Sequence, residues 1–160
     1  MYAPTNCTLC PRTCRIDRTK KPGLCRGGAQ VKIASATAHF GEERCLSGTR
    51  GSGTVFFSGC SLGCVFCQNH EIRDSLVGKA ITVEQLKDVF LALEREKVHN
   101  LNLVTPTHYR PWIQAALKQA KESGFSLPVV WNTGGYETTA GVIALKEDVD
   151  IWLSDLKFYS

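Results

Sequence analysis

Thr54-Val55-Phe56-Phe57-Ser58-Gly59-Cys60-Ser61-Leu62-Gly63-Cys64-Val65-Phe66-Cys67 carries a short strand pattern straight into three cysteines. Thr54 to Phe57 reads as a buried strand, and the cysteines follow it in a C-x3-C-x2-C spacing on one short loop. That spacing lets three thiolates face a single inorganic cluster. Soft thiolates select iron-sulfur clusters, zinc or Cu(I). A 4Fe-4S centre that only passes electrons takes four cysteine ligands, and nothing beside this loop supplies a fourth. One iron would then stay open to an external chelating ligand, which suits a cluster that performs chemistry.

Downstream of the loop, Thr82 is an N-cap with Gln85 three residues on, and Val83, Leu86, Val89, Phe90 and Leu93 recur at helical spacing. Leu101 to Val104 reads as a second strand. Pro111 opens the next helix, whose apolar residues Ile113, Ala116, Leu117 and Ala120 run to a stop at Gly124. Val129 to Trp131 is a third strand, Thr139 to Leu145 a shorter helix, and Val149 to Leu153 a fourth strand. Strands alternating with helices over short connections predict a parallel sheet with right-handed crossovers. Ligands of such sheets bind beyond the carboxyl ends of the strands. Those positions hold the cysteine loop, Thr105-Pro106-Thr107-His108-Tyr109, Asn132-Thr133-Gly134-Gly135 and Ser154-Asp155-Leu156-Lys157.

Upstream, the first fifty or so residues have few apolar runs, with turn signals at Lys21-Pro22-Gly23 and Gly27-Gly28. They carry five of the eight cysteines. Four of these, Cys7, Cys10, Cys14 and Cys25, fall in a C-x2-C-x3-C-x10-C spacing. Four thiolates suffice for a closed zinc site or a second iron-sulfur cluster, and the spacing does not separate the two. A reduced arm without metal is the plain alternative. Cys45 stands alone and reads as a bystander.

With 43% hydrophobic and 21% charged residues, the chain has an ordinary globular composition. No run reaches the roughly 18 apolar residues of a membrane span. The start MYAPTNCTLC shows neither the basic region nor the apolar stretch of a signal peptide. Cytoplasm is therefore the expected location, where thiols stay reduced and tight cysteine groups serve metals rather than a disulfide framework. The net charge of +4 comes from scattered Lys and Arg, so no nucleic-acid partner is indicated.

C-x3-C-x2-C with an aromatic residue before the last cysteine resembles the signature of the radical S-adenosylmethionine superfamily. The following Gln68-Asn69-His70-Glu71-Ile72-Arg73-Asp74 resembles the same stretch in pyruvate formate-lyase activating enzymes and their uncharacterised relatives. Ser47-Gly48-Thr49-Arg50-Gly51-Ser52-Gly53 and Asp155-Leu156-Lys157 extend the likeness over most of the chain. The resemblance implies that Cys60, Cys64 and Cys67 hold a 4Fe-4S cluster whose open iron chelates S-adenosylmethionine. Reductive cleavage would give a 5'-deoxyadenosyl radical that takes hydrogen from a substrate, with an electron donor such as flavodoxin or ferredoxin and, as one substrate class, a glycyl-radical protein.

For the cofactor, the same resemblance nominates Phe66 near the adenine, Asn69 supporting the loop, Asn132 for the ribose or amino group, and Asp155 and Lys157 for the methionyl part. Where many relatives have Gly-Gly-Glu after the second strand, this chain has Val104-Thr105-Pro106-Thr107, so Thr105 and Thr107 offer hydroxyls there. Against these stand plainer readings: Asn69 as a turn residue, Asp155 and Lys157 as an exposed pair, Trp112, Trp131 and Trp152 as core or wall, and His39 and His108 as non-ligands.

The expected architecture is α/β: a partial parallel β/α barrel of radical S-adenosylmethionine type over residues 51–160, after a cysteine-rich metal-binding segment over residues 1–50. Because the sequence stops at Tyr159-Ser160 after its fourth strand, a truncated chain, or one needing a partner at its open edge, is expected. Two rival functions remain: a non-catalytic iron-sulfur or zinc module, and a radical enzyme acting on small molecules.

Overall fold

A computed structural model describes residues 2–157; Tyr159-Ser160, the end on which truncation is argued, lies outside the described residues. The chain runs through β1 (Val31–His39), α1 (Arg44–Ser47), β2 (Ser52–Phe57), α2 (His70–Arg73), β3 (Lys79–Ile81), α3 (Val83–Arg95) and β4 (Leu101–Val104). A 3-10 turn (Thr107–Tyr109), α4 (Arg110–Glu122), β5 (Val129–Thr133), α5 (Thr139–Ala144) and β6 (Ile151–Ser154) follow.

Six strands form one sheet in the order β3-β1-β2-β4-β5-β6. The four strands expected from sequence pair in parallel, with Val55 beside Leu103, Leu103 beside Trp131, and Trp131 beside Trp152. To these four the structure adds β1, which was not expected as a strand and runs antiparallel to both β2 and β3. β1 is rich in Ala, Ser and Thr and has no clear alternation. Its pairing depends on cross-strand partners such as Ile33 with Phe57 and His39 with Ser52, a non-local term that local pattern does not carry. Part of the cysteine-rich segment over residues 1–50 thus belongs to the same sheet as the core. The described sheet is open, ending at β3 and β6, and no barrel closes among the described residues.

Helices cover one face. Thr82 caps α3: its hydroxyl accepts from the Gln85 N–H at 3.1 Å, and the Gln85 side chain accepts from the Thr82 N–H at 3.0 Å. α3 buries Val83, Leu86, Phe90 and Leu93, and α4, opened by Pro111, buries Trp112, Ile113, Ala116, Leu117 and Ala120. Against them lie Val55 and Phe57 of β2, Leu101 and Leu103 of β4, and Val129 and Trp131 of β5, each of which removes apolar surface from water. A fully buried Leu or Phe contributes about 1.5–3 kcal/mol in this way. Since strand side chains alternate, Thr54, Asn102 and Asn132 take the opposite face together with Phe56, Val104 and Val130, which makes that face mixed. The fourth expected strand begins two residues late, at Ile151, because the turn after α5 continues to a Val149 N–H to Leu145 C=O bond that draws Val149 into the core. Among the described residues no helix is long and apolar enough to cross a membrane.

Candidate cluster and cofactor site

Parallel β2, β4, β5 and β6 end side by side, and the loops leaving them enclose a cavity of about 350 Å³. Cys60, Cys64 and Cys67 line it. So do Phe66 and Asn69 from the cysteine loop, Thr105 and Thr107 after β4, Asn132 at the end of β5, and Asp155 and Lys157 after β6. Side chains nominated from four stretches of sequence meet in one place. No fourth cysteine and no histidine joins the lining among the described residues.

Short backbone contacts hold the cysteine loop. The Leu62 N–H points at the Cys60 sulfur at 3.4 Å, the geometry that favours a thiolate acceptor. Arg73 donates to the Cys64 carbonyl at 2.5 Å and is itself paired with Asp74 at 2.6 Å, which ties the loop to α2. From the amino-terminal segment, Arg12 reaches across to donate to the Ser61 carbonyl and, at 2.8 Å, to the Leu62 carbonyl. Burial pushes the Cys64 thiol above its usual range, the Cys60 and Cys67 sulfurs push the same way, and Lys157 opposes them. Phe66 is 65% exposed, an uncovered aromatic wall beside the cysteines. The Asn69 side chain makes no capping bond to α2, although it stands at the N-cap.

The polar side of the cavity is already networked. Asp155 and Lys157 pair at 2.9 Å, and that hydrogen bond raises the Lys157 pKa, with the nearby Cys64 and Cys67 sulfurs adding to it. Thr105 sits at φ +57°, a strained conformation for a β-branched residue, where the chain turns off β4. Two carboxylates that sequence reasoning passed over hold the nominated residues. Glu137 accepts from Thr107 at 2.5 Å, Thr133 at 2.8 Å and the Trp131 indole at 3.1 Å. Glu42 accepts from Asn132 at 3.1 Å and also from Asn102. Thr107 therefore spends its proton on Glu137 and keeps acceptor capacity alone. No motif marks Glu42 or Glu137; their contacts exist only once the sheet has formed.

The remaining nominated aromatic and titratable residues are structural in their surroundings. Trp112 and Trp131 are buried, while Trp152 is half exposed and packs on Trp131 at 6.2 Å. His39 stands edge-on to Phe56, and Cys45 is exposed on α1. His108 is fully buried, and its Nε2–H donates to the Ser58 carbonyl at 2.9 Å. Burial and the charge of Arg18 bring its pKa down to about 4 from 6.5, with the Ser58 bond opposing. The unfolded chain takes up this proton below pH 6.5 and the fold does not until about pH 4, so stability is complete above 6.5 and falls as the pH drops between the two. At pH 5 the loss is expected to be about 2 kcal/mol relative to pH 7.5. Urea midpoints at the two pH values check this, and His108→Gln should shrink the difference; an equal drop in that variant would assign the effect elsewhere.

At the other cysteine group, Cys7, Cys10 and Cys25 are buried and Cys14 is half-buried. Burial raises the Cys10 and Cys25 thiols. Burial would raise Cys14 too, but N–H donors from Ile16 and Leu24 and the Cys7 thiol outweigh it and hold Cys14 low. In neither group are three Cys, His, Asp or Glu donors gathered closely enough for a single ion among the described residues. For Cys60, Cys64 and Cys67 that spread suits a cluster, in which each thiolate takes its own iron.

Fold and site together define an α/β protein with a three-thiolate site open to solvent at the carboxyl edge of its parallel strands. The family described as the Radical SAM superfamily matches residues 54–154, and the chain belongs to it. Membership implies a 4Fe-4S cluster and S-adenosylmethionine as cofactors. A protein of Methanocaldococcus jannaschii, named as uncharacterized, is 34% identical over 161 residues, covering 96% of this chain and 46% of its own length. This chain thus spans about half the length of that relative. No solved structure matches it.

Proposed function

We propose that Cys60, Cys64 and Cys67 hold the 4Fe-4S cluster, that the adjoining cavity binds S-adenosylmethionine, and that the chain forms a partial β/α barrel of a radical enzyme. The observation that carries this reading is the meeting of Phe66, Asn69, Asn132, Asp155 and Lys157 with the three cysteines around one cavity. When bound at Cys60, Cys64 and Cys67 and in the adjoining cavity, the two cofactors would supply one-electron sulfur–carbon cleavage and hydrogen-atom abstraction, with the electron coming from an external reductant.

The chain's own residues bind and orient. The Lys157 ammonium and Asp155 carboxylate, now paired with each other, match the carboxylate and ammonium of the methionyl part and can exchange into a four-charge arrangement. Asn132, its amide N–H anchored on Glu42, turns its oxygen to accept from a ribose hydroxyl or the amino group. Phe66 supplies a flat apolar surface for the adenine and limits water at the cluster. An electron donor of flavodoxin or ferredoxin type is part of the proposal, as is a glycyl-radical protein as one substrate class. Residues 1–50 are proposed to act as a metal-binding segment ahead of this core.

Anaerobic iron-sulfur reconstitution tests the reading. The electron paramagnetic resonance signal of the reduced cluster is expected to shift when S-adenosylmethionine is added, and Cys64→Ala should abolish the component that shifts. A signal indifferent to S-adenosylmethionine, or zinc as the sole bound metal, would favour the non-catalytic module.

A further inference from the structure

Residues 2–30 form no helix and no strand, yet Cys7, Cys10 and Cys25 are only 5, 6 and 5% exposed. A coil has no ladder to hold it, so its turns must be fixed by something else. Here they are fixed at the cysteines. Cys7 N–H bonds to the Ile16 carbonyl, Arg15 N–H to the Cys7 carbonyl, and Thr13 N–H to the Cys10 carbonyl. Among the described residues, three of the six non-glycine residues at positive φ, Thr13, Arg15 and Arg26, directly adjoin Cys14 or Cys25. Strain of this kind costs about 1–3 kcal/mol per residue and persists where function requires it.

The sulfurs themselves accept backbone hydrogen bonds. Backbone N–H groups two residues on point at three of them: Arg12 at Cys10, Ile16 at Cys14, and Gly27 at Cys25. The same two-residue turn links Leu62 to Cys60 in the cluster loop. Repeated N–H donation to sulfur is a contact that a metal-bound thiolate accepts, and here it works against the burial that raises Cys10 and Cys25. Two pairs among the four also lie close. The Cys14 and Cys7 thiols are hydrogen-bonded, and a methyl group on Gly23 would lie 3.4 Å from the Cys25 sulfur and 3.7 Å from that of Cys14. Arg18, close enough to Cys25 to bias its charge, adds a buried cation.

We infer that Cys7, Cys10, Cys14 and Cys25 hold, as four thiolates, a second soft-metal centre, zinc(II) or an iron-sulfur cluster, distinct from the one at Cys60, Cys64 and Cys67. The sulfurs stand wider than a single ion needs, and coordination draws them in, supplying the order that a coil of this length lacks. The centre sits against the cluster loop. The Cys25 carbonyl accepts from the Cys60 N–H at 3.0 Å, and Arg12, between Cys10 and Cys14, holds the Ser61 and Leu62 carbonyls. Loading the first site therefore stiffens the second.

Metal analysis of the chain carrying Cys60→Ala, Cys64→Ala and Cys67→Ala together isolates this centre from the radical site. With zinc alone, or with iron and sulfide, one arm is expected to retain about one zinc or about four irons per chain. Adding Cys10→Ser and Cys14→Ser should bring that to background. No metal in either arm overturns the inference, as does a Cys7–Cys14 disulfide in the anaerobically isolated chain. Alkylation of the unaltered, metal-loaded chain is a second measurement should the variant fail to fold. Cys7, Cys10, Cys14 and Cys25 are expected to resist the reagent until a chelator is added; protection that survives the chelator, or no protection at all, overturns the inference.

Discussion

Arg18→Ala is expected to cost the fold about 3–5 kcal/mol and to open the segment ahead of β1 to thermolysin. Arg18 is 1% exposed, and its guanidinium lies over Tyr109 at 5.3 Å and Trp112 at 4.7 Å. Its Nε–H donates to the Gly28 carbonyl at 3.1 Å, and another N–H donates to the His108 carbonyl. No carboxylate pairs with it among the described residues, so two carbonyls and two aromatic faces offset only part of the desolvation cost, and its Nη2 has no hydrogen-bond partner. Truncation leaves both carbonyls without that donor, each worth about 1–3 kcal/mol, and opens a cavity beneath the rings. Arg18→Lys should recover little, because an ammonium has neither the planar fork nor the flat stacking surface. Urea unfolding with thermolysin mapping checks this; an unchanged midpoint and an uncut segment would sink the argument.

Arg18 also marks the limit of what the sequence makes visible. Strand Thr54–Phe57, the Thr82–Gln85 capping box and the Pro111 helix start are local signals. A capping box lies within four residues and a strand within six, so both can be read from neighbouring residues. Cys60, Cys64 and Cys67 were legible for the same reason, since their spacing confines them to one loop. Arg18 and His108 are 90 positions apart, and nothing in Asp17-Arg18-Thr19 sets that arginine apart from the exposed cations around it. Glu42 meets Asn132 across another 90 positions. β1 was missed on the same ground: its alanines alternate with Ser35 and Thr37 rather than with large apolar residues, and its pairing is completed by β2 on one side and β3 on the other. Periodicity reports the face a residue presents, whereas the supporting layer of this site is made by contacts between segments far apart in sequence.

Gly59→Ala tests the most crowded of those contacts and should unseat the cluster loop. Gly59 has φ +90°, which costs an L-residue with a Cβ about 1–2 kcal/mol, and a Cβ there would stand 2.4 Å from the Cys25 carbonyl oxygen and 3.1 Å from His108 Nε2. The obstacle is backbone, so it cannot rotate aside. That same carbonyl accepts the Cys60 N–H at 3.0 Å, while the Gly59 N–H donates to the Ile72 carbonyl at 2.7 Å. Relieving the clash must stretch the Cys25–Cys60 bond, tilt the loop off α2, or displace His108 from Ser58. The expected total is about 3 kcal/mol or more of stability, with iron retention at Cys60, Cys64 and Cys67 reduced at least about tenfold, since each 1.4 kcal/mol carries a factor of ten. Gly28→Ala is the matched control, with no atom within 4 Å of its Cβ, and should stay within about 0.5 kcal/mol of the parent chain. Iron and sulfide content after reconstitution, measured beside urea midpoints for both variants, decides it. Full loading of Gly59→Ala would mean that the loop is held by the cluster and not by its seam with the amino-terminal segment.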